Sequence, residues 1–204
     1  MPQIVQLYNE MRKKKHNIPS EILVELGFDR KGLSANKFSK REFEILTKMN
    51  DLLTDEQKCE IMQTQGCHKS PNGKYSIESK SLAEKYANLT LEEQVALVSR
   101  WGDMHINEMG NIVLVQGCDV GDAEGIVKSC HCIRANYKEN FDEFAREYPD
   151  KVLSLMQLYC GCCAGHIMYH LQIRLGVKLR LIKIGTAPKT EKGCLREHTF
   201  EILS

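Results

Sequence analysis

The chain has 204 residues, enough to bury a sizeable core in one compact domain without disulfides or a metal being obligatory. Its 28 Lys and Arg nearly balance 27 Asp and Glu, leaving a formal net charge of +1, so global charge points to neither nucleic acid nor an anionic membrane. No apolar run approaches the roughly 20 residues that span a bilayer, and no charged segment leads into a signal-peptide apolar stretch, so the expectation is a cytoplasmic protein.

Ile4, Leu7, Tyr8 and Met11 recur at helical spacing and predict an amphipathic helix over 2–15, whose basic end, Arg12 to His16, reads as solvated. Ser20 is placed to cap a short helix that Gly27 stops. Ser39-Lys40-Arg41-Glu42 is a capping box, in which hydroxyl and carboxylate satisfy each other's unpaired backbone N–H groups, and it opens a helix carrying Phe43, Ile45, Leu46 and Met49. Thr54 to Gln57 and Thr90 to Glu93 repeat the signature, with a turn at Ser70 to Gly73 and a helix over 76–86 between them. The first half therefore reads as helical.

The second half changes character. Asn111 to Gly117 is a β-branched run that predicts a buried strand, and Gly117 to Gly125 an acidic loop without the spacing of a calcium or phosphate loop. Residues 141–148 and 149–156 have helical composition, and a helix is expected from about Cys163 to Leu175. Val177 to Gly185 alternates cleanly, 186–193 reads as a turn, and Thr199 to Leu203 alternates again, so these strands predict an antiparallel hairpin.

Nine cysteines is an odd number, and in a reducing compartment a disulfide framework is a poor account of them; metal ligation, thiol chemistry and burial remain. The densest signal is a C-x-C…C-x-C pattern, Cys130-His131-Cys132 and Tyr159-Cys160-Gly161-Cys162-Cys163, followed by His166 and His170. Zinc takes four tetrahedral thiolate or imidazole ligands, and Cys130, Cys132, Cys160 and Cys162 supply four thiolates, with Cys163, His131, His166 or the pair Cys67-His68 able to replace a member. Iron–sulfur ligation fits less well, because the usual runs of repeated C-x-x-C are absent. A second reading is a reactive thiol: Cys162 or Cys163 in the first turn of a helix gains thiolate character from the helix dipole. At about 100° per residue, Cys163, His166 and His170 then share one face as nucleophile and bases. A packing account takes Cys130, Cys132, Cys160 and Cys163 as small core hydrophobes beside the apolar stripe of Ala164, Ile167, Met168, Leu171 and Leu175. Five thiols clustered in two short elements argue against packing alone.

Several of these residues together carry a resemblance. Tyr159-Cys160-Gly161-Cys162, Leu175-Gly176, the strand from Val177, Gly193 and His198-Thr199-Phe200-Glu201-Ile202, with Ile61 to Cys67 upstream, make about the C-terminal two thirds similar to bacterial cysteine-rich domains. These are related to 4-vinyl-reductase-type ligand-sensing domains and to L-2-amino-thiazoline-4-carboxylate hydrolase-like proteins. The family's last cysteine is His198 here, with Cys194 upstream. The resemblance implies an α+β domain with a ligand pocket beside the cysteines.

The expectation is thus an α+β fold, a helical region over 1–105 packed with a cysteine-rich α+β region over 106–204 around a small antiparallel sheet with a C-terminal hairpin. The expected function is a metal-binding domain, with zinc on Cys130, Cys132, Cys160 and Cys162 beside a pocket for a small-molecule ligand. The alternative is a thiol-dependent hydrolase using Cys162 or Cys163 with His166 and His170. A third possibility is an interaction protein that uses its N-terminal helices to form a homodimer or bind a partner.

Overall fold

A computed structural model describes residues 4–27, 40–66, 69–98, 101–118, 143–144, 146–149, 151, 156–185, 189–190 and 193–203. The element order is α1 (Ile4–Met11), a 3-10 turn (Lys14–His16), α2 (Ser20–Glu25), α3 (Lys40–Leu52), α4 (Asp55–Met62), α5 (Lys74–Lys85) and α6 (Leu91–Ala96). Then come β1 (Asp103–Ile106), β2 (Ile112–Cys118), α7 (Met156–Leu175), β3 (Lys178–Lys183), β4 (Lys189–Thr190) and β5 (Gly193–Leu203). The fold is α+β, as expected, with helices packed on an antiparallel sheet of order β1-β2-β5-β3 and the two-residue β4 beside β5.

Local chemistry places two of the helix starts. In α4, Gln57 N–H donates to the Thr54 hydroxyl at 3.2 Å while Thr54 N–H donates to the Gln57 side chain at 3.1 Å; in α6, Thr90 and Glu93 make the same exchange. Each cap is worth roughly 1 kcal/mol. The start of α2 differs from expectation: Pro19 holds the extended cap position, and Ser20 is already helical. Ser39 of the third capping box lies outside the described residues. Phe43, Leu46 and Met49 on α3 and Leu7 and Met11 on α1 are fully or almost fully buried, at the spacing that puts them on one stripe. The ring of Phe43 stacks on Phe144 with centroids 3.7 Å apart.

A polar joint ties the N-terminus to α4. His16 is buried, and its ring nitrogens sit 2.8 Å from Glu10 and 3.2 Å from Glu60, while Lys13 and Lys15 also bond to Glu10. Burial pushes the Glu10 carboxyl up, but the hydrogen bonds from Lys13, His16 and Lys15 outweigh it and hold the pKa at about 2.

The sheet begins earlier than expected. β1 was not foreseen, because four residues with one large apolar side chain pointing inward, Met104, make too short an alternation to read. It pairs with β2 through residues 107–111, where Asn107 N–H donates to Asn111 O at 2.9 Å and Gly110 adopts φ 76°, a left-handed turn conformation that a side chain disfavours. β5 starts at Gly193 rather than at Thr199; Arg196, Glu197 and His198 hide its alternation. β3 and β5 pair antiparallel as expected. β1 straddles the expected boundary at residue 105, and one buried cluster unites Leu7, Phe43 and Met62 with Leu114, Leu171 and Phe200.

Around α7 the rest is arranged. It packs against α3, α4, α5, α6 and β3, and Ala164, Ile167, Met168, Leu171 and Leu175 are all buried. It approaches the end of α4 at two glycines. A Cβ at Gly161 would lie 2.8 Å from Met62 Cβ and from Ile184 Cδ1, and one at Gly165 would lie 2.4 Å from Met62 O and 2.5 Å from Gln65 O. Backbone oxygens cannot rotate away as a side chain tip can. Gly165→Ala should therefore destabilise the protein by about 2–3 kcal/mol in urea unfolding, although alanine favours an unobstructed helix by about 1 kcal/mol. A neutral or stabilised variant would show that the contact is loose.

The Glu10 joint makes a second prediction. A carboxyl depressed from 4.5 to about 2 contributes stability that is complete above pH 4.5 and is lost as pH falls towards 2. Glu10→Gln should flatten stability across that window while lowering it at pH 7, measured by urea midpoints; an unchanged pH profile would contradict the assignment.

Candidate functional site

The cysteine cluster lies inside α7, not at its start. The helix begins at Met156, two turns before the expected position, so Cys162 and Cys163 lie beyond the first four residues whose N–H groups lack helical partners. The dipole argument for a thiolate at these positions therefore fails. Cys-Gly-Cys-Cys resembles a turn in sequence, but Gly161 serves the close contact with Met62 and Ile184 instead. The helix also separates the C-x-C pair: residues two apart project about 200° apart, with the helix backbone between their sulfurs. Cys160 and Cys162 therefore face different sides of α7. The other half of the expected four-thiolate set, Cys130 and Cys132, and the loop from residue 119 lie outside the described residues. Both Cys160 and Cys162 are buried, whereas Cys163 is half-buried.

What α7 does bring together is its histidine face. Cys163, His166 and His170 occur at i, i+3 and i+7, within a narrow sector of the helix. The rings of His166 and His170 meet edge to face with centroids 4.7 Å apart. Tyr75 from α5 approaches both edge-on, at 5.8 Å and 5.9 Å, and Trp101 stacks on His170 at 6.3 Å. Tyr169 adds an edge contact to His170 at 5.1 Å. His170 is fully buried and His166 is half-buried, so the pair runs from the core towards the surface. Gly66, at the end of the segment leaving α4, lies against the backbone of His166. Cys67 and His68 come next in the chain, outside the described residues.

Tyr75 and Trp101 were not foreseen as site residues. They are distant in sequence from α7, and no local pattern marks them; only the packing of α5 and of the approach to β1 on α7 delivers them.

Other candidates resolve differently. Cys59 on α4 is buried, and burial pushes its thiol up to about 11, with the backbone N–H of Ile184 offsetting part of the shift. His198 is fully buried opposite Leu114, and Gly185 N–H donates to its Nδ1 at 3.4 Å. Arg174, one turn after His170, donates to Leu97 O at 3.3 Å and is buried. Burial lowers its pKa, with Tyr86 and Glu78 opposing the shift. A cleft of about 480 Å³ opens at the end of α2 and along α3, lined by Leu26, Arg41, Ile45, Lys48 and others, but by none of the cysteine or histidine candidates. Among the described residues no three His, Cys, Asp or Glu converge as a group ready to hold a metal ion, and no helix is long and apolar enough to cross a membrane.

Comparison of the chain with protein-family models, with curated proteins and with solved structures finds no match in any of the three.

Burial and thiol acidity together order the cysteines. At pH 7.5, Cys163 should react with iodoacetamide at least tenfold faster than Cys59, whose thiolate fraction is small and whose sulfur is shielded. Peptide mapping over time measures both rates, and comparable rates would contradict the burial assigned to Cys59.

Proposed function

We propose that this protein is a binding domain for a divalent transition-metal ion, zinc first, held through the His166–His170 pair of α7. The observation that supports this is the imidazole pair: two histidines one turn apart on a rigid helix, ring centroids 4.7 Å apart and packed by Tyr75. A pair at i, i+4 is a standard way for one helix to present two nitrogen donors to one ion. Imidazole nitrogen is donor chemistry that suits zinc, whereas magnesium and calcium take oxygen ligands. Cys67 and His68, next in the sequence after Gly66, are donors of the same type and lie outside the described residues. The aromatic rings supply a dry wall, and packing that fixes both imidazoles lowers the entropy lost on binding.

The test is metal content. Protein purified without added metal should carry zinc by elemental analysis, and His166→Ala with His170→Ala should lose it together with the stabilisation that zinc confers, about 2.7 kcal/mol at a hundredfold excess over Kd. Cys160→Ser should keep the metal. A chain whose unfolding midpoint is indifferent to added zinc would overturn the reading, as would metal loss in Cys160→Ser equal to that in the double variant.

A second reading, a thiol-dependent hydrolase using Cys163 with His166 and His170, is favoured by one observation. Cys163 is half-buried while its two neighbouring thiols are closed off. Under that reading His166→Ala slows alkylation of Cys163 at neutral pH in metal-free protein, and an unchanged rate would dismiss it.

A further inference from the structure

Two cysteines that belong to neither reading meet in the sheet. The β2–β5 ladder sets Cys118 directly opposite Cys194, in the same register that pairs Ile112 with Phe200 and Leu114 with His198. The hydrogen-bond phase of the pair follows from the hairpin. Asn107 N–H bonds to Asn111 O, so within β2 the backbone groups of Ile112, Leu114, Gln116 and Cys118 are directed at β5. Cys118 and Cys194 are thus a hydrogen-bonded pair, a type with Cα atoms about 5.5 Å apart. A disulfide needs about 4.4–6.8 Å between Cα atoms, so the backbone already stands within range. Directly opposite Cβ atoms in a sheet are about 4.5–5.5 Å apart, however, and a relaxed disulfide wants about 3.5–4.5 Å, so closing the bond draws the strands together and makes it easier to reduce.

We infer that Cys118 and Cys194 are a reversible redox modification site: a cross-strand dithiol that low-molecular-weight disulfides convert to a labile disulfide. One thiolate attacks the reagent's disulfide, releasing one thiol and leaving a mixed disulfide. The second cysteine then displaces the second thiol and gives up its own proton. The protein loses two electrons and two protons, and the reagent is reduced to two thiols. The bond closes a loop over residues 119–193, which contains Cys130, Cys132 and the whole of α7, so it restricts the unfolded chain and raises the unfolding midpoint. The site stands independently of metal binding at the histidine pair.

The full folded chain is incubated with oxidised glutathione, residual thiols are blocked with N-ethylmaleimide, and a non-reducing tryptic digest is sequenced by mass spectrometry. Residues 101–128 contain Cys118 as their one cysteine, and 193–196 contain Cys194 as theirs, so the linked peptide is unambiguous. The expected result is that peptide, 2 Da lighter than its reduced parts, with an upward shift in midpoint and reversal by millimolar reduced glutathione. Cys194→Ser should abolish both the link and the shift. Blocking of both cysteines after oxidation, linkage of either to another cysteine, or a bond that survives reduced glutathione would overturn the inference. If Cys194→Ser does not fold, the linked peptide and its reversal in the unaltered chain decide the matter alone.

Discussion

The contact on which the rest of this structure depends is the crossing of α4 and α7 at Gly161 and Gly165. Two glycines four residues apart clear a groove along the central helix, and the chain leaving α4 runs through it with its carbonyls against the helix backbone. No side chain larger than hydrogen fits at Gly165, where the nearest backbone oxygens stand at 2.4–2.5 Å from a notional Cβ. This contact sets the rotation of α7 about its axis. Once Gly161 and Gly165 face α4, the neighbouring apolar positions are committed to the core, and His166 and His170 to α5 and the Trp101 approach.

The same crossing supplies the sheet with partners. β3 is an edge strand, and an edge strand presents unpaired backbone groups. Here Gln172 of α7 accepts from Leu179 N–H at 2.9 Å, and Gln63, just past α4, accepts from Leu181 N–H at 3.3 Å. Two side-chain amides thus cover the edge from the helix side, and the glycine contact holds both helices close enough to reach it. The solvent face carries exposed pairs, Arg180 with Glu201 and Lys183 with Glu197, which add at most about 1 kcal/mol each. The sheet is secured by its buried face and its covered edge more than by its surface charges.

The cysteines take their roles from position on this frame. On a regular helix Cys162 projects away from Cys160, while Cys163 lies three residues on and nearer the Cys160 side, so adjacency in sequence does not put all three thiols on one face. Burial and a pKa near 11 keep Cys59 in its thiol form. Cys163 is left half-buried on the histidine face, while Cys118 and Cys194, with 75 residues between them, are brought opposite one another by strand register.

What the amino-acid sequence determined by itself was local. The capping boxes at Thr54 and Thr90, the apolar stripe of α7, the alternation of β3 and the pairing of β3 with the C-terminal strand all rest on interactions within a few residues or on a strong period. The α+β class followed from those elements, and His166 and His170 could be placed on one helical face from spacing alone. Tertiary structure decided the rest. The helix was expected to start at about Cys163, after Cys160-Gly161-Cys162; the passing backbone of Met62 and Gln65 explains why glycines stand inside it. β1 and the first half of β5 hold their conformation through ladder bonds to β2, not through their own composition. Tyr75 and Trp101 reach the histidines across sequence distances that no local pattern spans, because burying the face of α7 requires rings from elsewhere in the chain.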